Sequence, residues 1–150
     1  MPTVSRSLTI AAPPQAVWEV VGDPHHFPRW WPRVARMEAV SDERWTQVLL
    51  TRRGKPVRAD FQLLESHPPQ AGVGRRTWAQ QLPGTPFGRV LDESITEVAL
   101  EPDGAGGTRV TIAQRQRLRG YSRTGRFQLR RAATSVLDEA LAGLARLHEG

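Results

Sequence analysis

The sequence can form one long helix, and it stands at the C-terminal end. Between residues 122 and 148, Leu129, Ala133, Val136, Leu137, Ala140, Leu144 and Leu147 fall at three- and four-residue steps and line up as one apolar stripe. Nearly everything upstream reads as short strands. An antiparallel sheet must bury one of its faces, and no other segment of this chain is long enough to cover a sheet. The strands are therefore constrained to wrap around the last helix, which makes the fold class α+β. A chain of 150 residues suits a single domain, 1–150, burying roughly 68–70% of its unfolded surface.

The strand pattern is legible along the chain. Thr3 to Ile10 alternates, with Val4, Arg6, Leu8 and Ile10 on one face, as a short edge strand does. Pro13 and Pro14 suit a helix start, where their missing N–H groups are not needed. Ala16, Val17, Val20 and Val21 follow at helical spacing, with Trp18 beside them. Gly22 ends that helix and Pro24 discourages its continuation. The proline-bounded stretch after it has room for a second helix of one or two turns. Strands follow at 34–42 and 44–54, joined across Ser41–Glu43. At 55–66, alternation sets Val57, Ala59, Phe61 and Leu63 against Arg58, Asp60, Gln62 and Leu64. Further strands run over 74–84, 88–102 and 107–120, the last two paired across the glycine-rich turn 103–107. The spacing predicts seven strands and two short helices, with a space at one end that the short helices close.

Several function classes drop out. The N-terminal residues hold no apolar run long enough for a signal peptide, and no stretch approaches the ~20 apolar residues that span a membrane. There is no cysteine, so disulfides and thiolate metal sites are excluded and a cytoplasmic location is expected. No phosphate loop, dinucleotide fingerprint or serine–histidine–acid set is present, and we expect neither cofactor nor metal. His25 and His26 are adjacent, a poor geometry for one ion, and no further cluster completes a set.

The residues that carry a family resemblance are "SLTIAAPPQAVWEVVGDPHHFPRWWPRV" (7–34) and "GTRVTI" (107–112) before the long helix. The first is similar to the strand, proline, Val-Trp, aspartate and Trp-Pro pattern that opens members of the START-like, or SRPBCC, superfamily. That superfamily includes the birch-pollen (Bet v 1-like) allergens, lipid-transfer domains and the polyketide cyclase/dehydrase-like branch, which this chain resembles over nearly its whole length. The resemblance implies a helix-grip fold: a curved seven-stranded antiparallel sheet around the C-terminal helix. It also implies a deep, mostly apolar cavity for a hydrophobic small molecule.

Candidate site residues follow from alternation and from that expected cavity. Phe27, Trp30 and Trp31 lie in the short second helix at its mouth. The two tryptophans cannot both face inward on one turn, so one anchors the core and the other faces the mouth. Phe61, Trp78 and Gln80 lie on inward strand positions, as do Ile112, Gln114 and Gln116. Ala133, Leu137 and Ala140 come from the covering stripe, where the alanines leave room. A buried amide needs a partner, so the glutamines would orient a ligand's few oxygens. Strand 88–102 leaves its phase open: Glu93 and Glu97 share one face with Leu91 and Ile95, whereas Asp92, Ser94, Thr96 and Val98 share the other. An inward carboxylate in an apolar pocket would have a raised pKa and could move protons. Glu93, Glu97 and His26, near Asp23, are the acid/base candidates.

The net charge of +6 comes from a large arginine excess. Arg115, Arg117, Arg119, Arg123, Arg126, Arg130 and Arg131 follow one another without an acid between them. Arg123, Arg126, Arg130 and Arg131 fall in the first turns of the last helix, where the helix dipole disfavours cations. That placement suits an anionic partner such as an acidic carrier protein. Nucleic acid is disfavoured, because the segment lacks interleaved aromatic residues apart from Tyr121 and Phe127 and shows no recognition motif. Three functions remain: a carrier of a lipid or polyketide-like molecule, a cyclase/dehydrase-like enzyme working by substrate folding and proton transfer, and a protein- or RNA-interaction module using the basic face.

Overall fold

The computed structural model describes residues 3–120 and 122–149. Its strands are β1 (Thr3–Ile10), β2 (Val34–Glu38), β3 (Arg44–Leu50), β4 (Pro56–Gln70), β5 (Val73–Gln80), β6 (Leu91–Pro102) and β7 (Thr108–Leu118). They form one antiparallel sheet in the order β1-β7-β6-β5-β4-β3-β2. The helices are α1 (Pro14–Val21), α2 (Phe27–Trp30) and the long α3 (Arg123–Leu147), with 3₁₀ turns at Pro24–His26 and Pro86–Arg89. The seven strands, the long helix and the two short helices agree with the helix-grip expectation.

Local chemistry sets the helix ends. Pro14 opens α1, and the Gly22 N–H closes it on the Trp18 carbonyl at 2.7 Å. The Asp23 carboxylate caps the Pro24–His26 turn, accepting from the His25 N–H at 3.0 Å. Ser122 caps α3 in the same way, its Oγ accepting from the Gly125 N–H at 3.0 Å.

Strand bounds differ from the periodic reading where the backbone turns. β2 stops at Glu38 because Ala39 takes a positive φ of 49°. β5 ends at Gln80, and the 3₁₀ turn at Pro86–Arg89 intervenes before β6 begins at Leu91. Within β4 the register shifts between Leu63 and Glu65, so Leu64 leaves the alternation and Ser66 comes to pair with Arg76. The tight β4–β5 turn runs through Ala71 and Gly72, both at positive φ. A Cβ on Gly72 would meet the Pro102 side chain at 2.4 Å, so this turn admits only glycine there.

The core lies between the inner sheet face and α3. Val17, Trp18 and Val21 of α1, Phe27 and Trp30 of α2, Val98, Leu100, Val110 and Ile112 of the sheet, and Leu137, Ala140, Leu141 and Leu144 of α3 form one buried cluster. α3 meets α2 closely because Gly143 has no side chain: a Cβ there would lie 2.5 Å from the Trp30 carbonyl oxygen.

Candidate functional site

The phase of β6 is decided in favour of Ser94, Thr96, Val98 and Leu100, all buried on the inner face. Glu93 and Glu97 therefore point outward, contrary to their expected place in a cavity. Glu93 pairs with Arg115 at 2.8 Å and Glu97 with Arg75 at 3.4 Å. The outer face of the sheet carries these ion pairs because arginines of β5 and β7 stand beside acids of β6. His26 does not reach the inner face either; it sits at the end of the Pro24–His26 turn, its Nδ1 3.1 Å from Arg29 and its Nε2 3.7 Å from Asp23.

The aromatic residues of the 24–31 stretch form a plug. Phe27 stacks on Trp30 at 5.6 Å and on Trp45 at 5.8 Å and meets Trp78 edge-on at 5.4 Å. Trp30 goes into the core, whereas Trp31 stays half-buried, edge-on to Trp78 at 6.0 Å. Of the candidate cavity residues, Phe27, Trp30, Trp78, Ile112, Ala133, Leu137 and Ala140 are buried in packed structure, so at the centre side chains fill the space where a deep cavity was expected. Trp31, Phe61, Gln80, Gln114 and Gln116 remain half-buried.

These half-buried residues mark one end of the inner face. Phe61 lies across from Gln80, and Thr96 from Gln114. The Gln114 amide donates to Thr96 Oγ1 at 3.1 Å and the Gln116 amide to Ser94 Oγ at 3.3 Å. Each bond uses one amide donor and leaves the amide oxygen as an acceptor. A gap of only ≈ 10 Å³ separates this part of β7 from α3, lined by Val4, Gln114, Gln116, Leu129, Arg130 and Ala133. The buried residues of α3 start at Ala133. Its first turns, with Arg123, Arg126, Phe127, Arg130 and Arg131, are largely exposed. Among the described residues, none of those four arginines forms an ion pair.

One inward residue was missed. Arg76 of β5 is 5% exposed. Its Nη1 donates to Ser66 Oγ at 2.9 Å, and its guanidinium carbon lies 5.6 Å from the centre of the Trp45 ring. Burial pulls its pKa below the ordinary value, against the pull of the Asp23 carboxylate. The signal was present in the sequence: Trp78 and Gln80 share a face, and period two puts Arg76 on it as well. Asp23 is tuned too. Desolvation pushes its pKa up, but the His25 N–H, the His25 ring and the nearby His26 outweigh that and hold it below the ordinary carboxylate value.

The comparisons agree with this architecture. The model of a family described as "Polyketide cyclase / dehydrase and lipid transport" matches residues 1–149. Among solved structures, the di-domain ARO/CYC BexL from the BE-7585A biosynthetic pathway is 22% identical with a TM-score of 0.80; the match covers 97% of this chain and 46% of that one. A START superfamily protein from Mycobacterium smegmatis is 12% identical over 97% of this chain and 96% of its own, with a TM-score of 0.76. A protein from Thermus thermophilus is 21% identical over 97% and 95%, with a TM-score of 0.70. At these identities the likeness is one of fold. No curated protein matches the chain significantly.

Proposed function

This chain belongs to the polyketide cyclase / dehydrase and lipid transport family, and on that premise we propose that it is a carrier for an apolar small molecule, a lipid or a polyketide-like compound. The ligand lies between the inner sheet face and the first turns of α3, against Trp31 and Phe61, with the amides of Gln80, Gln114 and Gln116 orienting its oxygens. The observation that carries this reading is the change in burial along β7 and α3. Val110 and Ile112 are fully buried, Gln114 and Gln116 are not, and α3 is seated only from Ala133 onward. A helix held by its C-terminal half can lift its first turns and widen the narrow gap at Leu129 and Ala133.

The chemistry of the inner face supports carriage over catalysis. Among the described residues, the inward positions of β3 to β7 present rings, aliphatic chains, amides, hydroxyls and Arg76, with no carboxylate or imidazole. Proton transfer at neutral pH needs a group that titrates there.

The test is native mass spectrometry of the purified protein, followed by titration with an apolar fluorescent probe. We expect a retained or bound apolar molecule, and slower amide exchange at 123–131 when it is bound. Ala133→Phe, which overfills the gap, should reduce probe affinity at least tenfold and cost about 1–3 kcal/mol of stability, the usual range for overpacking. A protein that comes empty and binds no probe would overturn the reading, as would probe binding that Ala133→Phe leaves unchanged.

A further inference from the structure

A second site lies away from α3. A groove of ≈ 540 Å³ runs between the Pro24–His26 turn and the β2–β3 turn, with Val40, Leu63 and Pro24 among its walls and Ser66 and Arg76 at its floor. It shares no lining residue with the gap beside α3, so it stands or falls independently of the carrier reading.

The floor of this groove holds a buried cation that lacks a counter-ion. Arg76 makes no ion pair among the described residues, and its Nε is buried without a hydrogen-bond partner. The indole N–H of Trp45, whose ring lies beside the guanidinium, is buried and unpartnered as well. An uncompensated charge withdrawn from water is strongly destabilising unless something pairs with it. Asp23 is the acid whose field reaches Arg76, but neither of its oxygens comes within ion-pair distance of the guanidinium, and its Oδ1 is engaged by His25. It accepts from the His25 N–H at 3.0 Å and lies 2.9 Å from the His25 ring Nδ1, which fixes it as a cap. Asp42 is exposed on the groove's rim.

We propose that this groove binds a carboxylate carried on a small apolar body, with Arg76 as its anchor and the Ser66 hydroxyl as a second contact. Nη1 donates to Ser66, Nε–H has no partner, and the edge that carries this free N–H is the one Nε shares with Nη2. That edge presents two parallel N–H groups, the match for two coplanar oxygens. A neutral carbonyl would satisfy one donor and leave the charge uncompensated. A dianionic phosphate would meet one cation and the two aspartates of the rim, so a monoanion fits best. Val40 and Leu63 provide the apolar contact.

The test is an NMR titration of the protein with benzoate, following the Arg76 side-chain Nε–H signal. We expect a saturable shift of that signal with benzoate and none with benzamide or inorganic phosphate at the same concentrations. Arg76→Lys, which keeps the charge and loses the fork, should weaken benzoate binding at least tenfold, and Ser66→Ala a few-fold. The wild-type titration decides the matter even if a variant folds poorly. An Arg76 signal that benzoate does not move would overturn the proposal, as would an equal response to benzamide or phosphate. So would a signal that moves on Asp23→Asn but not with benzoate, since Asp23 would then be the counter-ion.

Discussion

Asp23 does two jobs with one carboxylate. It caps the Pro24–His26 turn and gathers two histidines. Desolvation pushes its pKa up, and the bonds to His25 with the field of both histidines more than reverse that push. A carboxyl whose folded pKa is depressed stabilises the fold above its unfolded pKa and loses that contribution as pH falls through the folded value. Asp23→Asn should therefore lower the urea midpoint near neutral pH, and its deficit relative to the parent protein should shrink once the pH drops below about 4. Urea unfolding at a series of pH values reads this directly; a deficit that stays constant to low pH would assign the stabilisation to another group. Arg76 is the counterpart at the same scale: period two with Trp78 puts it on the inward face, and the packing around it sets how deeply it is buried.

At the scale of elements, α3 is a helix with two unlike halves. Its second half is seated on the sheet and on α2, and the close approach depends on Gly143. Placing a methyl there brings it 2.5 Å from the Trp30 carbonyl oxygen and 3.1 Å from the Trp30 Cα. Alanine is the better helix former by about 1 kcal/mol, but backbone cannot give way as a flexible side chain does. Gly143→Ala should cost about 1–3 kcal/mol, the usual range for overpacking, measurable by chemical denaturation. A stabilising result would mean that α2 and α3 are not in this contact. The first half of α3 has arginines and no acid in its opening turn, against the preference of the helix dipole. It gains little from its own sequence, which is consistent with a segment that moves.

Across the whole molecule the sheet separates two chemistries. The inner face meets rings, aliphatic side chains, hydroxyls, amides and the buried Arg76; the outer face carries Glu93–Arg115, Glu65–Arg75–Glu97 and Glu101–Arg109. Exposed pairs of this kind are worth about 0–1 kcal/mol each. Glu93→Gln and Glu97→Gln should therefore change stability by less than about 1 kcal/mol and leave apolar-probe binding unchanged. Loss of binding in either variant would place its carboxylate at the site and reopen the enzymatic reading. Among the described residues no helix is long and apolar enough to cross a membrane.

Side-chain periodicity is a local property, and the elements and their order could be read from it without any structure. The alternation of β1 and β7 and the stripe on α3 each follow from neighbours a few residues apart. The family was legible in the same way, through the Val-Trp, aspartate and Trp-Pro pattern. Which face of β6 turns inward was not, since both faces hold apolar and acidic residues and pairing with β5 and β7 is what breaks the tie. Nor could the chain show that Leu64 falls in a register shift, which brings Ser66 opposite Arg76. The rings at 27–31 close on Trp45 and Trp78 as a plug for a like reason: those partners come from strands distant in the chain. Burial is a sum over such distant contacts, and no local pattern contains it.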